Sequence, residues 1–167
     1  IWETVKHHFA VSACILQKDA RIGKIIGFYS VVFAAHTLLF FYSQQYFADF
    51  GYNKVQISVI MLLVGGASCF GALASEKMYR RFGKRCLIPE TVIIAAAILC
   101  YGAGKAGVTA AALMCAGFAN AALYPIHSDS LNALIPSEQR ATLISVDSMC
   151  FSIAMIVLFP LAGAFAD

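Results

Sequence analysis

Asp147 is the ionisable residue of this chain whose position most suggests chemistry. It follows Arg140 by two helical turns and lies inside an otherwise uncharged apolar segment. An apolar surrounding penalises a charged carboxylate, so a group placed there can take up and release a proton. Asp147 also lies only about 9 Å along a helix from Ala141, near the end of the segment. It is therefore either a site of proton uptake or one half of an ion pair.

Imidazole, amide and phenol groups stand inside two other apolar segments. His36 lies about half-way along the first one, and Gln44 and Gln45 lie toward its end. Asn120 is central in the fourth, and Tyr124 follows one turn later on the same face. An amide donates and accepts hydrogen bonds, which suits a polar or mixed ligand. Hydrogen bonds between helices are the alternative role for these residues, and for His36 a role as a proton site also remains open.

The sequence shows no convergent set of catalytic or metal-binding residues. Gly102, Gly104 and Gly107 have the spacing of a dinucleotide fingerprint, but they follow an apolar segment without a strand–helix context. The six cysteines form no CxxC pair and favour packing between helices. We therefore expect no enzymatic activity, no cofactor and no bound metal.

Five segments without Asp, Glu, Lys or Arg must position the polar residues. They cover residues 25–48, 55–75, 91–104, 106–128 and 148–166. About 20 mostly apolar residues are needed for a helix to cross a bilayer. The chain is 60% hydrophobic and 13% charged, whereas a soluble domain carries about a quarter charged residues. The net charge of +3 is too small, and too confined to loops, to favour a nucleic-acid partner.

These segments predict an all-α, polytopic membrane helical bundle embedded in a lipid bilayer. The predicted spans are residues 25–48, 55–75, 87–104, 106–134 and 141–166. The third reaches a sufficient length only if residues 86–90 form its interfacial start. Residues 1–24 mix apolar positions with Lys, His and Gln, which suits a linker lying as an amphipathic helix on the membrane surface.

Lys and Arg residues fall on alternate sides of these spans. Ten lie in the amino-terminal segment and the second and fourth loops, and two lie in the first and third loops. Short loops that are rich in Lys and Arg usually lie on the cytoplasmic side of a membrane. The amino-terminal segment is therefore predicted to be cytoplasmic, and the protein is predicted to lie in the cytoplasmic membrane. The chain begins without Met and stops directly after an apolar segment, so we interpret it as a piece of a larger protein.

Two loop segments carry recognisable patterns. The first runs from Gly71 to Arg85 and contains Glu76, Arg80, Arg81 and Gly83. Its glycine permits close helix approach, and its charged residues can pair with each other or with carbonyl groups at helix ends. The second runs from 132 to 142, where a proline stops one helix and an arginine begins the next.

Together these segments resemble the major facilitator superfamily of secondary transporters over nearly the whole chain. The first is similar to a degenerate Gly-x-x-x-Asp-Arg-x-Gly-Arg-Arg motif, with Ser75 at the Asp position, Glu76 next to it and extra residues before Gly83. The second is similar to the Pro-x-x-x-Arg-Ala-Thr junction, followed by a helix that ends in Pro-x-x-Gly. The eroded motif, and the absence of an arginine from the fourth span, favour the carboxy-terminal half, helices seven to eleven of twelve. The other half of the transporter would then be a missing partner.

The resemblance implies alternating access around a substrate site near the bilayer midplane. The first, second, fourth and fifth spans would face the cavity, with the third outside them. The implied substrate-binding residues are His36, Gln44, Gln45, Asn120 and Tyr124, and Asp147 is the implied proton-coupling residue. The implied gating and loop residues are Gly71, Glu76, Arg80, Arg81, Gly83, Arg85, Asp129 and Arg140.

Within such a family, aromatic spans with few charges favour a small amphipathic organic solute, as in drug efflux coupled to protons. A sugar or another metabolite is the alternative substrate. A non-transporting membrane scaffold or receptor-like domain is the alternative function, and a membrane-embedded enzyme comes third. Asp147 and His36 argue against the scaffold, because a scaffold needs no ionisable group inside its helices.

Overall fold

A computed structural model describes residue 10 and residues 19–83 and 87–166 of the chain. The helices are α1 (Ala20–Asp49), α2 (Lys54–Phe82), α3 (Leu87–Tyr101), α4 (Ala106–Leu134) and α5 (Arg140–Ala166), with a 3-10 turn at Ser137–Gln139. No strand occurs in these described ranges. The predicted all-α membrane fold is confirmed. Most of the predicted surface linker, residues 1–24, lies outside the described residues, and its last five residues belong to α1.

Four of the helices are long and apolar enough to cross a membrane, and they have 27 to 30 residues each: α1, α2, α4 and α5. The helix α3 has 15 residues, which is about 22 Å at 1.5 Å per residue and falls short of a hydrocarbon core of about 30 Å. It ends at Tyr101, three residues before the predicted boundary. The chain turns there through Gly104, whose φ of +64° favours glycine.

Side-chain hydrogen bonds stabilise the first turns of two of the long helices, α1 and α2. The Asp19 carboxylate accepts hydrogen bonds from the backbone N–H and the guanidinium of Arg21. The bond from the guanidinium lowers the pKa of Asp19, so the stabilisation it gives is present above the ordinary value of 3.8 and is lost as the pH falls through the lowered pKa. At the start of α2, Asn53 and Gln56 form a reciprocal capping box, with both hydrogen bonds 2.9 Å long.

The chain divides into two compact units. The first unit contains Ile1–Ala34 and His127–Asp167, and thus the first half of α1, the end of α4 and all of α5. Its core is a cluster of buried aliphatic side chains from these three helices: Ile22, Ile26, Leu131, Ile135 and Leu143. This core holds the end of α4 and the start of α5 together around the 3-10 turn.

The second unit contains Ala35–Ile126, and thus the rest of α1, α2, α3 and most of α4. Here α4 presents small residues to its neighbours, since Ala116, Ala119 and Ala122 are fully buried. Small side chains let helix backbones approach closely, which is how helices pack in lipid where burial of apolar surface gives little driving force. Among the described residues of this unit, Phe47, Leu113 and Leu123 are the largest side chains that are completely buried.

Candidate functional site

A histidine–carboxylate pair lies in the first unit. Nε2 of His127 on α4 is 2.9 Å from Oδ2 of Asp147 on α5. The His127 side chain is 3% exposed and the Asp147 side chain 24%, so the pair is largely withdrawn from the surface. Among the described residues, no third His, Cys, Asp or Glu stands with them to complete a metal site. An imidazole in hydrogen-bonding contact with a carboxylate can share a proton with it.

The donor and acceptor roles in the pair depend on the tautomer of the His127 imidazole. A neutral imidazole that donates from Nε2 to the carboxylate has its lone pair on Nδ1. Nδ1 of His127 is buried and has no hydrogen-bond partner among the described residues.

Two aromatic side chains of α1 hold the imidazole in place. The Tyr29 ring lies 4.2 Å from the His127 ring between centroids, tilted by 36°. The Phe33 ring meets the same imidazole edge-on at 5.6 Å. Tyr29 is itself 2% exposed. Aromatic contacts of this kind restrict the ring orientation of His127, so that Nε2 stays directed at the carboxylate.

The pairing follows from the register of the α4–α5 hairpin. His127 lies ten residues before Ser137 and Asp147 lies ten residues after it. Two antiparallel helices joined by a short turn bring residues at equal distances from the turn side by side. Leu131 and Leu143 obey the same relation, six residues on either side, and both belong to the buried cluster.

Asp147 therefore contacts a histidine, whereas Arg140 lies elsewhere. The Arg140 guanidinium donates a 3.4 Å hydrogen bond to the backbone carbonyl of Asn132, near the end of α4. A cation is favourable at this position, because the carbonyl groups at a helix C-terminus carry partial negative charge. Asp129, the acidic residue near this end of α4, is exposed.

Two of the predicted substrate-binding residues carry buried polar atoms in the second unit. Nε2 of His36 on α1 and Oδ1 of Asn120 on α4 are both buried, and neither atom has a hydrogen-bond partner among the described residues. Buried polar atoms without partners are rare in folded proteins and call for a specific explanation.

The other three predicted substrate-binding residues lie at the surface of the second unit. Gln44 and Gln45 are exposed, and the Gln45 amide donates a 2.8 Å hydrogen bond to Asp49 one turn further on. Tyr124 is 62% exposed.

The first loop motif begins at a close contact between α2 and α4. A side chain at Gly71 would collide with the backbone carbonyl of Phe118, whose carbon would lie 2.9 Å from the added Cβ. One turn later, the Ser75 hydroxyl donates a 2.8 Å hydrogen bond to the carbonyl of Ala122. The departure from Asp at position 75 thus has a structural consequence, because serine binds the neighbouring backbone there.

The rest of this motif lies on the last turns of α2. Glu76 and Arg80 form an exposed ion pair of 2.7 Å, and the Arg81 guanidinium lies 5.7 Å from the centre of the Phe82 ring. Gly83 ends the helix with a φ of +56°, which L-amino acids rarely adopt. Arg85, another predicted motif residue, lies outside the described residues.

The comparison with known protein families supports what the fold and these segments indicate. The family model for the Major Facilitator Superfamily matches residues 26–167. The chain belongs to this family of membrane transporters, and it is an integral membrane protein. Neither a curated protein nor a solved structure gives a significant match to the chain.

His127 was not among the predicted site residues, although the structure makes it the partner of Asp147. A histidine near the end of a membrane span is also compatible with a structural role. The signal that could have found it is the symmetric spacing about Ser137. The contact with Tyr29 had no comparable signal, because it depends on how α1 packs against the hairpin.

Proposed function

We propose that the chain is the carboxy-terminal part of a secondary active transporter that moves a small organic solute across the cytoplasmic membrane by alternating access. The proposed solute is amphipathic, as in drug efflux, and the proposed driving force is a proton gradient. The His127–Asp147 pair is the observation that carries this proposal. The missing half of the transporter is the proposed partner that completes the cavity.

The pair supports proton coupling through the charge of its two states. With a neutral imidazole and an ionised carboxylate the pair carries one negative charge, and after proton uptake it carries none. A net charge inside the membrane favours a state in which water reaches the site, whereas a neutral pair tolerates a closed, dry surrounding. Proton uptake can therefore bias two conformations of the transporter in opposite directions.

Substrate binding is proposed at the polar residues that face inward or remain exposed in the spans. These are His36, Gln44, Gln45, Asn120 and Tyr124. None of the five apolar segments contains Lys or Arg, which argues against an anionic solute. The surrounding surface is rich in aromatic and aliphatic groups, which suits an amphipathic molecule.

Gating is proposed at the ends of α2 and α4. The residues of the first loop motif, with Asp129 and Arg140, would make contacts that differ between the conformations of the complete protein. The helix α5 exposes a series of aliphatic side chains, and we propose that lipid and the missing half cover them: Ile153, Ile156, Val157 and Leu161.

The test is transport by the complete protein in proteoliposomes, with and without an imposed pH gradient. A panel of cationic, neutral and anionic solutes would include amphipathic drugs and sugars. We expect gradient-dependent movement of an amphipathic solute. Asp147→Asn should abolish this movement, because a side-chain amide does not take up or release a proton at physiological pH. Glu138→Gln, which neutralises an exposed carboxylate on the 3-10 turn between α4 and α5, is the matched control and should keep most of the activity.

Several outcomes would contradict the proposal. Unchanged, pH-dependent transport by Asp147→Asn would remove the proton role of this residue. Gradient-driven movement of sugars alone would favour the metabolite alternative. No movement of any solute by correctly folded protein would favour the non-transporting scaffold or receptor-like domain.

A further inference from the structure

The second unit contains two buried polar atoms that do not belong to the His127–Asp147 pair. Nε2 of His36 and Oδ1 of Asn120 have no partner among the described residues. Inside a membrane, water cannot compensate freely for a missing hydrogen bond, so such atoms are costly unless a ligand or a bound water completes them. The two atoms are therefore candidates for contacts with the same ligand.

Contacts within the second unit set the directions of the helices that carry these atoms. Val64 and Ser68 of α2 adjoin Gly117 of α4, and Ser75 binds Ala122, so α2 and α4 run parallel. The helices α1 and α2 are joined by a short turn and run antiparallel. Hence α1 and α4 are antiparallel.

The register then places His36 and Asn120 at the same depth. Thr109 of α4 donates a 3.1 Å hydrogen bond to the hydroxyl of Tyr46 on α1. From this contact, His36 lies ten residues back along α1, about 15 Å, and Asn120 lies eleven residues on along α4, about 16 Å. Asn120 is also the central residue of the 29-residue α4, so this depth is close to the middle of the span.

His36 and Asn120 also lie on the buried faces of their helices. Asn120 lies three turns beyond Thr109, within about 20° of the same face of α4. His36 lies two turns before Ser43, again within about 20° of the same face of α1. Thr109 and Ser43 are both fully buried, so both faces point into the unit.

The chemistry of the two residues defines the group that they can bind. An amide oxygen accepts a hydrogen bond, and Nε2 of an imidazole donates or accepts one according to its tautomer. No Lys or Arg lies in any of the apolar segments to balance an anion, and Asp147, which could balance a cation, contacts His127 instead. A neutral group that both donates and accepts hydrogen bonds fits this pair of residues best.

We propose that His36 and Asn120 form a mid-membrane binding site for an uncharged hydroxyl group on an otherwise apolar solute. This inference rests on the proposed transport function and names the substrate chemistry of its binding site. The hydroxyl donates to the Asn120 oxygen and completes the hydrogen bond of the His36 imidazole. The apolar part of the solute lies against the neighbouring aliphatic and aromatic side chains.

The test is a binding titration followed on His36 itself. The complete protein, with ¹⁵N-labelled histidine rings, is placed in lipid nanodiscs, and the His36 signal is identified by its absence in His36→Gln. The probes are 2-phenylethanol, phenylacetate and 2-phenylethylammonium, which share one ring and differ in charge. We expect only the alcohol to shift the His36 signal saturably, and its Kd to rise about tenfold or more in Asn120→Leu, as for the loss of one hydrogen bond.

A change in which probe binds best gives a second readout, in which the substitution creates binding instead of removing it. Asn120→Asp places a carboxylate at the site, so the ammonium probe should now bind better than the alcohol. The His127 signal is the internal control for folding, and if Asn120→Leu disturbs it, Asn120→Ser takes its place. The matched control variant is Ser58→Ala, which removes an exposed hydroxyl group of α2 and should leave the Kd unchanged.

The opposite results would overturn the inference. Three outcomes do so: equal shifts with all three probes, an alcohol Kd unaffected by the substitutions of Asn120, or no saturable shift with the alcohol, which indicates bound water only. The titration uses no gradient and no transported solute. A negative titration would thus not change the conclusion drawn from transport by Asp147→Asn. Likewise, an absence of proton coupling would not change the conclusion drawn from the alcohol titration.

Discussion

At the scale of single residues, the hydrogen bond between His127 and Asp147 explains how an acidic residue is accommodated inside an apolar helix. The carboxylate has an imidazole donor at 2.9 Å, and the imidazole is enclosed by Tyr29 and Phe33. Each member of the pair thus reduces the cost of burying the other. Removing one member should be worse than removing both, because an unpaired buried group retains its full desolvation penalty.

A double-mutant cycle tests this dependence. We expect His127→Leu to lower the free energy of unfolding by about 2 kcal/mol, because it leaves the Asp147 carboxylate without its partner. Adding Asp147→Leu should restore most of that loss, although the double variant should not couple transport to protons. Unfolding in mixed detergent and denaturant measures the first effect, and proteoliposome transport measures the second. Strictly additive losses of stability would show that the two residues do not depend on each other.

At the scale of helices, the close contact between α2 and α4 depends on having no side chain at Gly71. The obstacle there is the backbone of Phe118, which cannot rotate away as a side chain can. Gly117 is tight as well, but its neighbours are the Ser68 hydroxyl at 2.9 Å and a Val64 methyl at 3.1 Å, which have some freedom to move. Backbone contact therefore makes Gly71 the more demanding of the two positions.

Alanine substitutions along α2 test this difference. Gly71→Ala should lower the free energy of unfolding by about 2 kcal/mol, in the range for overpacking a tight contact. Gly66→Ala is the matched control, since nothing lies within 4 Å of the position its Cβ would take, and it should raise the free energy of unfolding by about 0.5 to 1 kcal/mol, the usual gain from alanine inside a helix. Thermal unfolding of the detergent-solubilised protein measures both. Equal effects at the two positions would argue against the close approach of α2 and α4.

At the scale of the whole molecule, the sequence was sufficient for the fold class and for the family. Long uncharged segments predict membrane helices because lipid cannot solvate charge, and the two loop motifs led to the family that the comparison confirms. The pairing of His127 with Asp147 could also have been predicted from the sequence, because a short turn fixes which residues of the two helices lie side by side. The roles of Tyr29 and Ser75 could not have been predicted in this way. They depend on which helices pack together, and a sequence pattern carries little information about helix neighbours.

The orientation of the whole protein in the membrane decides which surface lies closer to the His127–Asp147 pair, and thus from which side a proton would reach it in the proposed mechanism. Ten Lys and Arg residues against two predict that the loop between α4 and α5 is cytoplasmic. His127 and Asp147 each lie seven residues from the ends of their helices at that loop, about 10 Å along the helix. The pair would then lie closer to the cytoplasmic surface than to the outer one.

Cysteine labelling in intact cells tests this orientation, in a variant whose native cysteines are replaced. A membrane-impermeant maleimide should label Lys105→Cys directly, and it should label Glu138→Cys only after the membrane is permeabilised. Both positions are exposed, so a difference in reactivity reports the side of the membrane rather than burial. Lys105→Cys removes a basic residue from the side that already has few, so the substitution itself should not reverse the topology. The reverse pattern of labelling would place the pair near the outer surface, and the proton would then enter from the opposite side.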